Sequence, residues 1–123
     1  MEYKRKEMFR MVFNNPLDAK STIVEINGVN DIQMEEHVFL HDISLHGAKF
    51  ECKQDLPSDK AKIRILLSFV LIDKQLNLIG DIVWKKPSGK DFAYGVQFDV
   101  DKSIESELLW ELKQFAKRNI QRK

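Results

Sequence analysis

The chain is poor in the residues that staple, break or anchor a fold. Its 123 residues contain one cysteine, Cys52. That excludes an internal disulfide framework and suits a reducing compartment. Three prolines and five glycines are scattered, with no repeat, no low-complexity segment and no glycine spacing of a P-loop. No apolar run approaches the roughly 20 residues that a helix needs to span a bilayer. The longest, Ile65 to Ile72, is interrupted by Ser68. The opening MEYKRKEMFR has charge but no apolar stretch behind it, so it does not read as a signal peptide. The expected location is cytoplasmic.

Excess charge is also scarce, at +1 overall, but it is unevenly spread. Residues 1–10 carry +2, the last eleven residues carry +5 with no acid, and the 102 residues between them carry −6. A protein that coats nucleic acid presents a basic face on its body. This body is acidic, which argues against long DNA or RNA as a partner. The basic N-terminal segment remains suited to a small anion.

What the chain does contain is a 43% hydrophobic, 32% charged composition, ordinary for one globular domain of this length. Ala48, Phe50 and Cys52 alternate with Lys49, Glu51 and Lys53, the pattern of a half-buried strand. Leu76, Leu78, Gly80, Ile82 and Trp84 share one face of another, and Phe92, Tyr94, Val96, Phe98 and Val100 one face of a third. Ile63 to Ile72 is nearly continuous in apolar residues and is expected to be covered on both sides. Ser21–Ile26 and Val38–Ser44 supply two further strands. Turns are expected at Asn27-Gly28, at Leu56-Pro57-Ser58-Asp59 and at Lys86-Pro87-Ser88-Gly89. Beyond Val100 the period lengthens: Ile104, Leu108, Leu112, Phe115 and Ala116 mark a helix, with Leu109 and Ile120 near the same face. Asp101 or Ser103 can cap it. Trp84 and Trp110 are expected in the core or at its edge. The pattern predicts a mainly β fold, a six-stranded antiparallel barrel or sandwich whose opening or edge a C-terminal helix covers.

Catalytic and metal chemistry find little support. Asp42, Ser44 and His46 lie two residues apart on a strand, so neighbours are about 6.5–7 Å apart along the backbone, too far for a relay of short hydrogen bonds. We therefore expect no enzyme. His37 and His41 have helical ligand spacing on a segment that reads as a strand, and no third ligand follows in a known pattern. No metal and no cofactor are expected. What remains is a pair of features distant in sequence. Arg5-Lys6-Glu7-Met8-Phe9-Arg10 is a basic segment ahead of the strands, and Asp42-x-Ser44-x-x-Gly47 marks a strand ending in a turn.

With these two features in this order, the sequence resembles the PilZ domain family of bacterial cyclic di-GMP receptors. The family motifs are RxxxR and D/NxSxxG. Asp42-Ile43-Ser44-Leu45-His46-Gly47 matches the second in full, while the first ends on Arg10 and has Lys6 where its first arginine is expected. Trp84 and Tyr94-Gly95-Val96-Gln97-Phe98 are similar to the family's later strands. The resemblance implies one domain over residues 1–123: a basic ligand-binding segment over 1–12, a barrel over 13–100 and a helix over 101–121. It implies cyclic di-GMP as the ligand of Arg5, Lys6, Arg10, Asp42, Ser44 and Gly47, and a downstream protein as the receiver of the signal. Lys6 keeps the charge of an arginine without its planar fork. Arg5, immediately before the first motif, stands where the family associates an arginine with binding a stacked pair of ligands. Two other readings stay open. One is a PilZ-like domain that binds no nucleotide and acts through protein contacts alone; the other is a barrel that binds single-stranded nucleic acid.

Overall fold

The computed structural model describes residues 10–30 and 34–121. Six strands precede one helix: β1 (Arg10–Ile26), β2 (Met34–Ser44), β3 (Gly47–Cys52), β4 (Ile63–Val70), β5 (Gln75–Ser88), β6 (Asp91–Phe98) and α1 (Lys102–Gln121). Every strand pair is antiparallel, and the order β1-β2-β3-β6-β5-β4 closes into a barrel where β1 meets β4. The six-stranded barrel with a C-terminal helix is thus the observed fold.

The alternating apolar positions fill the barrel. Ala48, Phe50 and Cys52 of β3, Leu76, Leu78 and Ile82 of β5, and Tyr94, Val96 and Phe98 of β6 are all buried. Burial pushes the Cys52 thiol up to about 11, so this side chain is a core residue and a poor nucleophile. Tyr94 is fully buried, and its hydroxyl donates to the Gln54 carbonyl (2.6 Å) and accepts from the Leu56 amide (2.7 Å). One phenol therefore satisfies two backbone groups of the β3–β4 loop.

Two expectations about the walls need correction. The inward Ile63, Ile65, Leu67 and Phe69 of β4 are buried, but Leu66 and Ser68 are only half-buried. Among the described residues the outer wall carries no second layer there, so the strand is covered on one side. The strands of the last hairpin also run further than Lys86-Pro87-Ser88-Gly89 suggested. Ser88 still pairs with Asp91, and Gly89 and Lys90 form the turn, with Gly89 at φ 62°. The Asn27-Gly28 turn lies where expected, with φ of 49° and 85° in the left-handed sense that a tight two-residue hairpin turn demands.

Helix α1 begins at an Asp101 cap, whose carboxylate accepts from the Ile104 amide at 2.9 Å. It lies across the barrel end where β1 starts and where β2, β4 and β6 finish. Leu108 and Leu112 are fully buried in the common core, and Phe115 meets Phe13 edge to face at 5.5 Å. Glu107 pairs with Lys74 of the β4–β5 loop. The side chain of Ile120 lies outside the described residues. Trp110 is not a core residue: it is 57% exposed. It stands two positions from both Leu108 and Leu112, about 200° around the helix from each, so inward leucines force it outward.

Burial separates these neighbours energetically. Leu112→Ala is expected to lower the unfolding free energy by about 2–5 kcal/mol, as for other core leucines. Trp110→Ala is expected to stay within about 0.5 kcal/mol of wild type. Urea denaturation followed by circular dichroism measures both, and equal losses would contradict this placement of the helix.

Candidate functional site

Three irregularities in the barrel bring the motif residues to one place. A strand alternates, so with Val38 and Leu40 facing inward, Asp42 would also face the core. A bulge between Leu40 and Asp42 breaks the register. His41 and Asp42 both come to the outer wall and Ile43 goes inward, fully buried. β2 then ends at Ser44, and Gly47 starts β3 beside β6. A Cβ on Gly47 would lie 2.6 Å from the Val96 carbonyl oxygen, so this position admits only glycine without a backbone shift.

The second irregularity interrupts the β1–β2 pairing between Val12 and Leu17. Ahead of it, Val12 faces Asp42 and Arg10 faces Ser44, which sets Arg10 diagonally across from Asp42. The Arg10 Nη1 donates to Asp42 Oδ1 at 2.7 Å. The two sequence motifs, thirty-two residues apart, are thus joined by an ion pair. Arg5 and Lys6 lie outside the described residues.

The third irregularity falls between Ile82 and Trp84 of β5, and it corrects the reading of Trp84 as an inward residue. The bulge turns both Val83 (53% exposed) and Trp84 (41% exposed) outward. Trp84 pairs with Gly95 on β6, and its indole occupies the space where a Gly95 side chain would stand. An aromatic ring lying on a cross-strand glycine restores packing that the glycine lacks.

Between these features runs a groove of about 390 Å³, lined by Arg10, Asp42, Ser44, Gly47, Lys49 and Trp84 among others. Small-ligand sites span about 300–1,000 Å³. Four of the six expected site residues, Arg10, Asp42, Ser44 and Gly47, meet here. They do not all face it in the same way. Ser44 is buried; its Oγ lies 3.4 Å from the Gly47 carbonyl and 3.3 Å from the His46 amide, contacts that hold the turn. His46 also lines the groove, and its Nε2 lies 3.0 Å from Glu105 Oε2 of α1. Asp42, Ser44 and His46 thus have three separate partners, which replaces the picture of three residues on one strand face. His37 pairs with Asp18 and His41 lies near Glu51, and among the described residues no group of three or more His, Cys, Asp or Glu could hold a metal ion.

Residues 18–114 match the family model described as PilZ domain. The chain belongs to the PilZ domain family. A solved structure of the PilZ domain with c-di-GMP of YcgR from Escherichia coli has the same fold, with a TM-score of 0.60 and 15% sequence identity over 92% of this chain and 95% of that one. No curated protein sequence matches the chain. No helix among the described residues of this PilZ domain is long and apolar enough to cross a membrane.

Sequence reasoning missed Lys49 and Trp84 as lining residues of the PilZ groove. The signal for Trp84 was present: counting back from a Gly89–Lys90 turn pairs Trp84 with Gly95, on the same face as that glycine. Gly95→Ala is expected to displace the indole, weakening the near-ultraviolet dichroism of Trp84 and shifting its fluorescence to longer wavelength. An unchanged spectrum would show that the ring does not rest on Gly95.

Proposed function

We propose that this PilZ domain binds cyclic di-GMP in the groove between Arg10 and Trp84 and passes the event to a downstream protein. The observation that carries this reading is the Arg10–Asp42 pair at the mouth of a groove built by the DxSxxG turn. Its chemistry suits the ligand. A guanidinium can present two parallel donors to a phosphate or to the O6/N7 edge of guanine. A carboxylate accepts from the guanine N–H groups. Lys49, opposite Asp42 in the β2–β3 register, adds a point charge for phosphate, and the exposed Trp84 offers a face for a base.

The Arg10–Asp42 pair is partly exposed, with side-chain exposures of 45% and 17%. Such pairs are worth roughly 0–1 kcal/mol, so a ligand can reorganise it at small cost. In this reading Ser44 acts mainly by shaping the turn. Arg5 and Lys6, carried over from the family motif, contribute positive charge toward the ligand's phosphates in this reading. The His46–Glu105 contact ties the binding turn to α1, which gives the occupied groove a route to a distant surface. Cytoplasmic action and a bacterial source fit this second-messenger role.

Calorimetric titration with cyclic di-GMP tests the proposal. We expect binding in the micromolar range, about −8 kcal/mol. Arg10→Ala and Asp42→Ala are each expected to weaken it by about 1.5–3 kcal/mol, one to two decades, without changing the melting temperature appreciably. Lys6→Arg is expected to tighten it, because a fork replaces a point charge. Absence of heat at high ligand concentration would favour a PilZ domain that acts through protein contacts alone.

A further inference from the structure

The outward face of α1 joins an exposed tryptophan to a run of unpaired cations. Trp110 leaves more than half of its side chain in water, where an aromatic of this size can bury about 150–250 Å². Lys113 and Lys117 follow it at three and seven positions, so all three lie on one stripe of the helix. Arg118 adjoins them. Elsewhere the surface is mixed: Lys20 pairs with Glu35, Arg64 with Asp81 and Asp99, and Lys85 with Asp55, whereas Lys53, Lys60 and Lys90 pair with no acid among the described residues. Among the described residues Lys113, Lys117 and Arg118 make no ion pair. No acid follows Glu111 in the sequence, so nothing local neutralises this end of the helix.

From this combination we infer that the Trp110 face of α1 docks an acidic segment of a partner protein. Tryptophan, with arginine and tyrosine, is the side chain that most often carries binding energy at an interface. The unpaired cations on the C-terminal side of the indole select a partner of opposite sign and speed its encounter, while Glu107 bounds the face one turn before it. The occupant is therefore a segment bearing several Asp or Glu around an apolar pocket or side chain that receives the indole. This surface lies on the helix that His46 joins to the groove, but its existence does not depend on what the groove binds.

The test uses the full chain with Trp84→Phe, which leaves Trp110 as the sole tryptophan. The probes are short peptides carrying several Asp or Glu around one Leu or Phe, the same peptides with Gln in place of the acids, and phosphatidylcholine vesicles containing phosphatidylserine. The acidic peptides are expected to shift Trp110 emission to the blue in a saturable, salt-sensitive way, and the Gln peptides are not. With Trp84 retained and binding read by anisotropy of labelled peptide, Trp110→Ala and the double charge reversal Lys113→Glu/Lys117→Glu are each expected to weaken binding by about tenfold or more. Cyclic di-GMP titration of these two variants is expected to match wild type, which separates failure here from failure of the groove. The inference is overturned if no acidic peptide binds or if charge reversal leaves binding unchanged. It is equally overturned if vesicles alone shift the emission, or if the shift tracks self-association measured by sedimentation.

Discussion

The double pairing of β1 is the constraint from which the rest of the structure follows. This seventeen-residue strand runs along β2 and, over its second half, along β4 as well, so it is the seam that closes the barrel. Closure removes the free edges that an open sheet would present. The pairing with β2 fixes where the first residues of the strand must lie. Because Val12 is held opposite Asp42, Arg10 has one place to go, beside the carboxylate of the second motif. The site is thus a by-product of the β1–β2 pairing, and its basic side chain is set by backbone hydrogen bonds before any ligand arrives.

The groove is built on rigid elements by local departures from regularity. Bulges put Asp42 and Trp84 on the outer wall, where strict alternation would have buried both. Glycines at 47 and 95 then allow close approach, the first of a backbone carbonyl and the second of an indole. Each departure costs some pairing within the sheet. The closed barrel behind it, with Phe50, Tyr94, Leu40 and Ile43 fully buried, absorbs that cost. Preorganisation of this kind favours binding, since little of the framework needs to be ordered when a ligand enters.

Much of this was legible in the sequence, and the failures have physical causes. The strands of Phe50, Tyr94 and Leu76 announced themselves because one face of each is core and the other is not. The helix announced itself by the change of period after Val100, and its cap was narrowed to Asp101 or Ser103, of which Asp101 makes the contact. Asp42, Ser44 and Gly47 were visible only as a motif, since nothing in composition marks a bulge. A period-two reading places Trp84 with Ile82, and one extra residue in the strand overturns it. Trp110 was misjudged because hydrophobicity was weighed without its angle to Leu108 and Leu112. The outer-wall exposure of Leu66 depends on what does not pack there, and no local pattern encodes that.

In the proposed function one groove, set by the β1–β2 pairing and the β5 bulge, receives the ligand. Amide chemical-shift mapping by nuclear magnetic resonance during titration with cyclic di-GMP tests it most directly. The largest shifts are expected on Arg10, on Asp42 to Lys49, and on Trp84 and Gly95, with smaller ones in α1 near Glu105. Shifts concentrated instead on the opposite wall, around Lys20, His37, Ser68 and Asn77, would contradict it.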